Sequence, residues 1–169
     1  MNTQKSDPDP FECEIICELH ALDRVKRGEW KTGRWTREVK NAVGRVAEKR
    51  GYSVCATGCN HAKWGEWLYD LACIEYDEEQ HLKGIPLVME SEWQGKGVNY
   101  DFQKLVVARA DCRVMVLEVK SDKNKEEVIQ QLLQHVRKCR HSTKGDRYLF
   151  ACWNSVRRSF DCSVHIVIG

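Results

Sequence analysis

The chain has 169 residues, 42% of them hydrophobic and 31% charged, a length that suits one domain burying about 70% of its unfolded surface. No apolar run approaches the roughly 20 residues of a membrane helix, and the first residues carry no apolar stretch after Lys5, so neither a membrane span nor a signal peptide is expected, and the chain is expected in the cytoplasm. The net charge of +2 excludes little by itself, but it is unevenly spread. Residues 24–50 hold ten Lys/Arg against three Glu, whereas residues 66–92 hold eight acids against one lysine. Basic flanks around an acidic centre suit a polyanion held over a cation, although solvated helix faces also carry such runs.

In chain order, residues 1–10 read as a disordered leader ending in Asp-Pro-Asp-Pro, and residues 11–169 as a single domain. Ile15, Ile16, Leu19 and Leu22 are spaced for an N-terminal helix over 11–27. Thr36 can cap a second helix to Arg50, with Val39, Ala42, Val43 and Val46 inward and Gly51 as its stop. Residues 52–57 predict a strand, 58–65 a loop, and 67–76 a strand with Asp70, Ala72 and Ile74 on one face. After an acidic turn at 77–80, residues 85–93 form an apolar strand ending in Glu90-Ser91-Glu92. A helix is expected over 98–110, a buried strand over 112–119, a helix over 124–140, and two antiparallel strands over 148–153 and 162–168. The fold class is therefore α/β, a single domain with a central mixed β-sheet flanked by helices.

Nine cysteines are an odd set for a disulfide framework and are placed as small buried hydrophobes in a reducing compartment. Cys55-x3-Cys59-x-His61 has the look of a zinc half-site but lacks further ligands at finger-like spacing, and no Cys-x-x-Cys pair supports a redox role. The chemistry concentrates elsewhere. Glu90 and Glu92, two apart on a strand, project from one face, and Asp70 reaches the same spot from the adjoining strand. Such oxygen donors suit Mg²⁺ or Mn²⁺, which take carboxylates, waters and substrate phosphate. Lys104, one turn into the next helix, can stabilise charge developing on phosphorus, or simply pair with Asp101 at i, i+3.

Helix, three strands, helix, strand, with Asp70 on the second strand and Glu90-x-Glu92 on the third, resembles the core of the PD-(D/E)xK restriction-endonuclease-like superfamily over residues 34–120, an αβββαβ core to which an N-terminal helix and two C-terminal strands are added. The resemblance implies Asp70 and Glu90 as metal ligands, Glu92 in the position usually held by lysine, Lys104 as the migrated lysine, and Glu38 as an accessory acid. It implies a Mg²⁺-dependent endonuclease acting on nucleic acid, DNA foremost, and many of its members work as homodimers. The triplet Glu118-Val119-Lys120 is a rival assignment, but it falls on the fourth strand rather than the third, and the acids just upstream of it, Asp101 and Asp111, lie in the expected 98–110 helix and at its end. Arg34, Arg37, Lys96, Arg137, Lys138 and Arg140 are the expected phosphate contacts, and tryptophans near the site could stack on unpaired bases or serve as packing. The alternative function is a catalytically inactive domain of the same fold that binds nucleic acid or a protein.

Overall fold

The computed structural model describes residues 1–24, 32–93, 95 and 97–169, with the backbone alone at 24 and 32. Among these residues an eight-stranded mixed sheet and four α-helices make a single α/β domain, and no helix is long and apolar enough to cross a membrane. The strands are β1 (Asn2–Ser6), β2 (Ser53–Cys55), β3 (Ala62–Trp64), β4 (Leu71–Tyr76), β5 (Leu82–Glu92), β6 (Cys112–Val119), β7 (Arg147–Asn154) and β8 (Ser159–Ile168). The helices are α1 (Pro10–Ala21), α2 (Thr32–Lys49), α3 (Val98–Val107) and α4 (Asp122–Lys138). Across the sheet the order is β1-β8-β7-β6-β5-β4-β2-β3.

Each element follows from its residues. In α2 the buried Val39, Ala42, Val43, Val46 and Ala47 form one apolar stripe. The helix stops at Gly51, which takes φ +80 and lets Tyr52 N–H return to the Ala47 carbonyl, a left-handed closure that costs a glycine little. Strand β6 is buried at every position but Glu118, as expected of a central strand flanked on both sides by parallel neighbours. Pro86 interrupts the apolar run of β5 where the β4–β5 register slips between Cys73 and Glu75, the kind of position a proline can occupy because no ladder hydrogen bond is asked of it.

The sheet separates two cores. On one surface α1 and α2 pack Phe11, Ile15, Leu19, Val39 and Val43 over Leu71, Leu87, Met89, Val114 and Val116. On the other, α3 and α4 pack Phe102, Leu105, Ile129 and Leu133 over Ala72, Val88, Met115 and Leu117. The strand alternation therefore assigns each polar residue at a strand end to a definite surface.

Residues 1–10 differ from expectation. Asn2–Ser6 pairs antiparallel with β8 from Asn2 opposite Ile168 to Ser6 opposite Val164. Asp9 caps α1 through a reciprocal box, its carboxylate accepting from Glu12 N–H while Glu12 accepts from Asp9 N–H. The two prolines fit this geometry, since Pro10 begins the helix where no N–H is required. The edge of β8 supplies ladder partners that a reading of local sequence cannot show. Two smaller departures matter for the site. The stretch expected as one strand over 67–76 is regular only from Leu71, and the expected loop over 58–65 contains the short edge strand β3.

Candidate functional site

The site is built where β4 begins and β5 ends. Leu71 lies opposite Met89 in the antiparallel β4–β5 pair, so Asp70, just before β4, stands beside the Glu90–Ser91 end of β5. Its carboxylate Oδ2 accepts from Ser91 N–H at 2.8 Å, closing the ladder beyond the last paired residues. Its other oxygen lies 3.3 Å from the Lys40 ammonium of α2, and Lys40 also meets Glu66 Oε1 at 2.8 Å. Two carboxylates thus share one nearly buried ammonium.

Glu90 continues the row of Val88 and opposes Met115, so its side chain enters the α3 surface of the sheet. It is only 3% exposed. The Lys104 ammonium of α3 lies 2.7 Å from Glu90 Oε1 and 2.9 Å from Asp101 Oδ1. The i, i+3 pair with Asp101 is the one the sequence offered for Lys104, and the structure adds the contact with Glu90. The approach to Glu90 is close but off the hydrogen-bonding direction, so among the described residues Oε1 has a charged neighbour and no aligned donor. Burial pushes the Glu90 carboxyl up to about 7; Lys104 opposes that rise, and the nearby negative charges of Asp70 and Asp101 add to it. Lys104 is itself held above the ordinary lysine value because, against burial, Glu90 and Asp101 both favour its protonated form.

The other expected residues divide by position. Glu92 follows Glu90 on the same row, and its Oε2 occupies the space a Cβ would take at Gly97, where α3 begins. That close approach explains why a glycine precedes α3. Among the described residues no group of three or more His, Cys, Asp or Glu is arranged around a common point, so the set of Asp70, Glu90 and Glu92 is not assembled as a ready cluster. Glu38 lies on α2, partly exposed. Glu118 continues the row of Val114 and Val116 on the opposite surface of the sheet from Glu90, which separates the Glu118-Val119-Lys120 triplet from this constellation.

Arg34 and Arg37 sit on the first turns of α2, near Thr36, whose hydroxyl accepts from Trp93 Nε1 at 3.0 Å just past the end of β5. Lys96 lies outside the described residues. Arg137, Lys138 and Arg140 are not brought to the site: Arg137 and Lys138 lie in the last turn of α4, and Arg140, just beyond it, lines a cleft with Ile85, Asp111 and Arg113, where β6 begins. Arg137 donates instead to Thr3 of β1 and to Gln130 of α4. Part of the basic run over 24–50 is likewise used within the fold, because Arg45 and Lys49 pair with Glu18 and Arg50 with Glu14 of α1. Sequence reasoning missed Lys40, although a lysine directly after Val39 on an amphipathic helix is a signal for a cation carried towards the sheet.

The tryptophans also divide. Trp35 packs against Trp93 and Trp153 with ring centres 5.4 and 4.9 Å apart, and Trp153 meets Phe160 edge-on; these are core rings. Trp64 and Trp67 remain exposed. The Cys59/His61 motif is a packing device. Cys59 Sγ donates to the Lys40 carbonyl, His61 pairs with Glu48, and both crowd against Gly44 of α2, where an added Cβ would lie 2.8 Å from the sulfur.

No family model, curated protein or solved structure matches this chain. What the coordinates define is the class, a single-domain α/β protein with a mixed sheet between two pairs of helices.

Proposed function

We propose that this protein is a Mg²⁺-dependent nuclease that hydrolyses phosphodiester bonds in nucleic acid, with DNA as its foremost substrate, in the manner of the PD-(D/E)xK superfamily that its sequence resembles. The observation that carries the reading is the junction of β4 and β5, where Asp70 is held against Ser91 while the neighbouring Glu90 is buried beside the Lys104 ammonium. The run α2, β2, β4, β5, α3, β6, with β4 antiparallel to both β2 and β5 and β6 parallel to β5, supports it.

A divalent cation fits the donor chemistry. The candidate ligands Asp70 and Glu90 offer only oxygen, and Glu90 Oε1 is a buried acceptor without an aligned donor. When bound there, the metal would polarise a phosphate oxygen and favour ionisation of a water. The chain's own groups supply the rest. Lys104, held by Asp101, keeps a positive charge beside Glu90, where it can balance negative charge developing on phosphorus. Lys40 fixes Asp70 from the opposite helix layer. Arg34 and Arg37 lie on the turns of α2 nearest this end of the sheet and can hold the flanking phosphates. All nine cysteines are free, which supports a reducing, cytoplasmic setting.

The second reading, a domain of this fold that binds without cutting, is favoured by the lysine partners already on both carboxylates and by the lack of a preassembled three-ligand group among the described residues. Incubation with plasmid, single-stranded DNA and RNA in Mg²⁺ or Mn²⁺ decides between them. The expected result is metal-dependent hydrolysis that falls by about a hundredfold or more in Asp70→Ala, Glu90→Ala and Lys104→Ala, the scale of losing a positioned electrostatic group. Absence of metal binding by the wild type in calorimetry, or cleavage unchanged in Glu90→Ala, overturns the nuclease reading.

A further inference from the structure

Beside the edge strand β3 lies a cradle of about 430 Å³ lined by Trp64, Glu66, Trp67, Ile74, Tyr76 and Leu82. Its walls are unusual for an unpartnered surface. Trp64 is 51% exposed, Trp67 41% and Leu82 56%, and Leu68, next to Trp67 in the chain, is 77% exposed. Folding gains little from large apolar side chains left in water, and a contiguous group of them marks a contact surface. Leu68 also takes φ +73, a left-handed conformation that costs a branched residue of order 1 kcal/mol or more. The backbone thus bears strain in the turn that presents Trp67. The rings are arranged as walls, since Trp64 and Tyr76 stand edge to face, 76° apart with centres 6.0 Å apart.

The charge around the cradle selects its occupant. Glu66 lines it directly, and Glu66 and Asp70 share the single ammonium of Lys40. Tyr76 and Leu82 are paired across β4 and β5, so the turn between them, with Asp77, Glu78 and Glu79, rises from the rim. Asp77 and Glu79 gather around His81 at 3.3 and 3.6 Å, and Lys83 is taken up by Glu75. A nucleic-acid base could stack on these rings, but its phosphates would meet this acidic rim. An aromatic-walled cavity with a carboxylate in its lining and acids at its edge has the composition that attracts a soft organic cation through the negative faces of its rings.

We propose that this cradle is a binding site for an organic cation, a guanidinium or alkylated ammonium head, with Trp64, Trp67 and Tyr76 as walls and Glu66 as the counter-charge. The site is separate from the nuclease reading and stands or falls without it. Two sources of the cation are distinguishable, a free small molecule and a side chain carried by a basic peptide.

The test is a titration of the full chain followed by the indole N–H resonances, with Trp64 and Trp67 assigned from Trp64→Phe and Trp67→Phe. The probes are choline, a peptide containing trimethyllysine, a peptide containing arginine, the neutral choline isostere 3,3-dimethylbutan-1-ol, and deoxycytidine monophosphate. Saturable movement of both indoles by at least one cationic probe, about tenfold tighter than by the neutral isostere, is expected from ring–cation attraction. Tighter binding of choline identifies a free ligand, and tighter binding of either peptide identifies a carried side chain. Trp64→Ala should lose the binding, and Glu66→Gln should weaken the cations while leaving the isostere unchanged, with the thermal transition of each variant reporting that it is folded. Equal binding of the isostere, movement of these indoles by the nucleotide alone, or no saturable response to any cation overturns the proposal.

Discussion

A single buried carboxyl dominates the candidate site. Burial raises Glu90 from an ordinary value of 4.5 to about 7, so below pH 4.5 native and unfolded chains both hold its proton, and between 4.5 and 7 only the native chain does. The contribution to stability is therefore complete at low pH and is lost as pH rises through 7. Lys104 limits that loss by placing an ammonium 2.7 Å from the ionised group. Lys104→Met is expected to change stability little at pH 5, where Glu90 is neutral, and to cost about 2 kcal/mol at pH 8, less than a fully buried pair because Lys104 is one-third exposed. Adding Glu90→Gln should recover most of that cost. Urea unfolding of the wild type, Lys104→Met, Glu90→Gln and the double variant at both pH values reads the result, and equal costs at pH 5 and pH 8 would show that Lys104 does not act through Glu90. That Glu90 and Lys104 belong to one site was legible in the sequence, because Glu90 ends an apolar strand and Lys104 lies one turn into the next helix, but their direct pairing was not. Lys40 was not, because its meaning depends on the 65–70 turn returning Glu66 and Asp70 to α2.

At the level of elements, Glu12 links a helix to the sheet. It is fully buried, accepts from Asp9 N–H to cap α1, and meets Arg147 of β7 through Nη2 at 2.6 Å and Nε at 3.0 Å. Removing one partner of a buried ion pair leaves the other without compensation, so Arg147→Met should destabilise the protein by roughly 3 kcal/mol. Glu12→Gln with Arg147→Met should cost less than Arg147→Met alone, and denaturant midpoints at constant slope give the comparison. This contact joins residues 135 apart in sequence, which is why no local pattern announced it. The elements themselves were legible wherever periodicity and burial agreed. Strand β6 is found over the expected residues because it is apolar on both faces, and α2 is found because Val39, Val43 and Val46 form a stripe, although it begins at Thr32 and holds Thr36, the expected cap, inside it. The 67–76 stretch was read too long: alternation of Tyr69, Leu71 and Cys73 looks like strand, but Leu68 in a left-handed conformation turns the chain before Leu71.

For the whole molecule the two sheet margins are handled differently. One ends in β3, three residues long, a short edge that offers little for another chain to pair with. The opposite margin would be β8, ten residues of alternating burial, were it not covered by β1 along the length from Val164 to Ile168. The N-terminal segment is thus an edge guard as well as a strand: it satisfies the outward backbone groups of β8, and the Asp9 box that follows it anchors α1 to β7 through Glu12. Deleting residues 1–8 would leave those backbone groups unpaired while retaining the cap and the helix. The shortened chain is expected to lose about 2–3 kcal/mol, the worth of a few strand pairs and their ordered side chains, and to self-associate through β8. Light scattering across a concentration series measures the association, and a charged substitution on the newly exposed edge, Ile166→Lys, should return the shortened chain to a monomer. A shortened chain that stays monomeric at unchanged stability would mean that β8 needs no cover, and the sheet would then owe its order at that margin to the β7–β8 pairing alone.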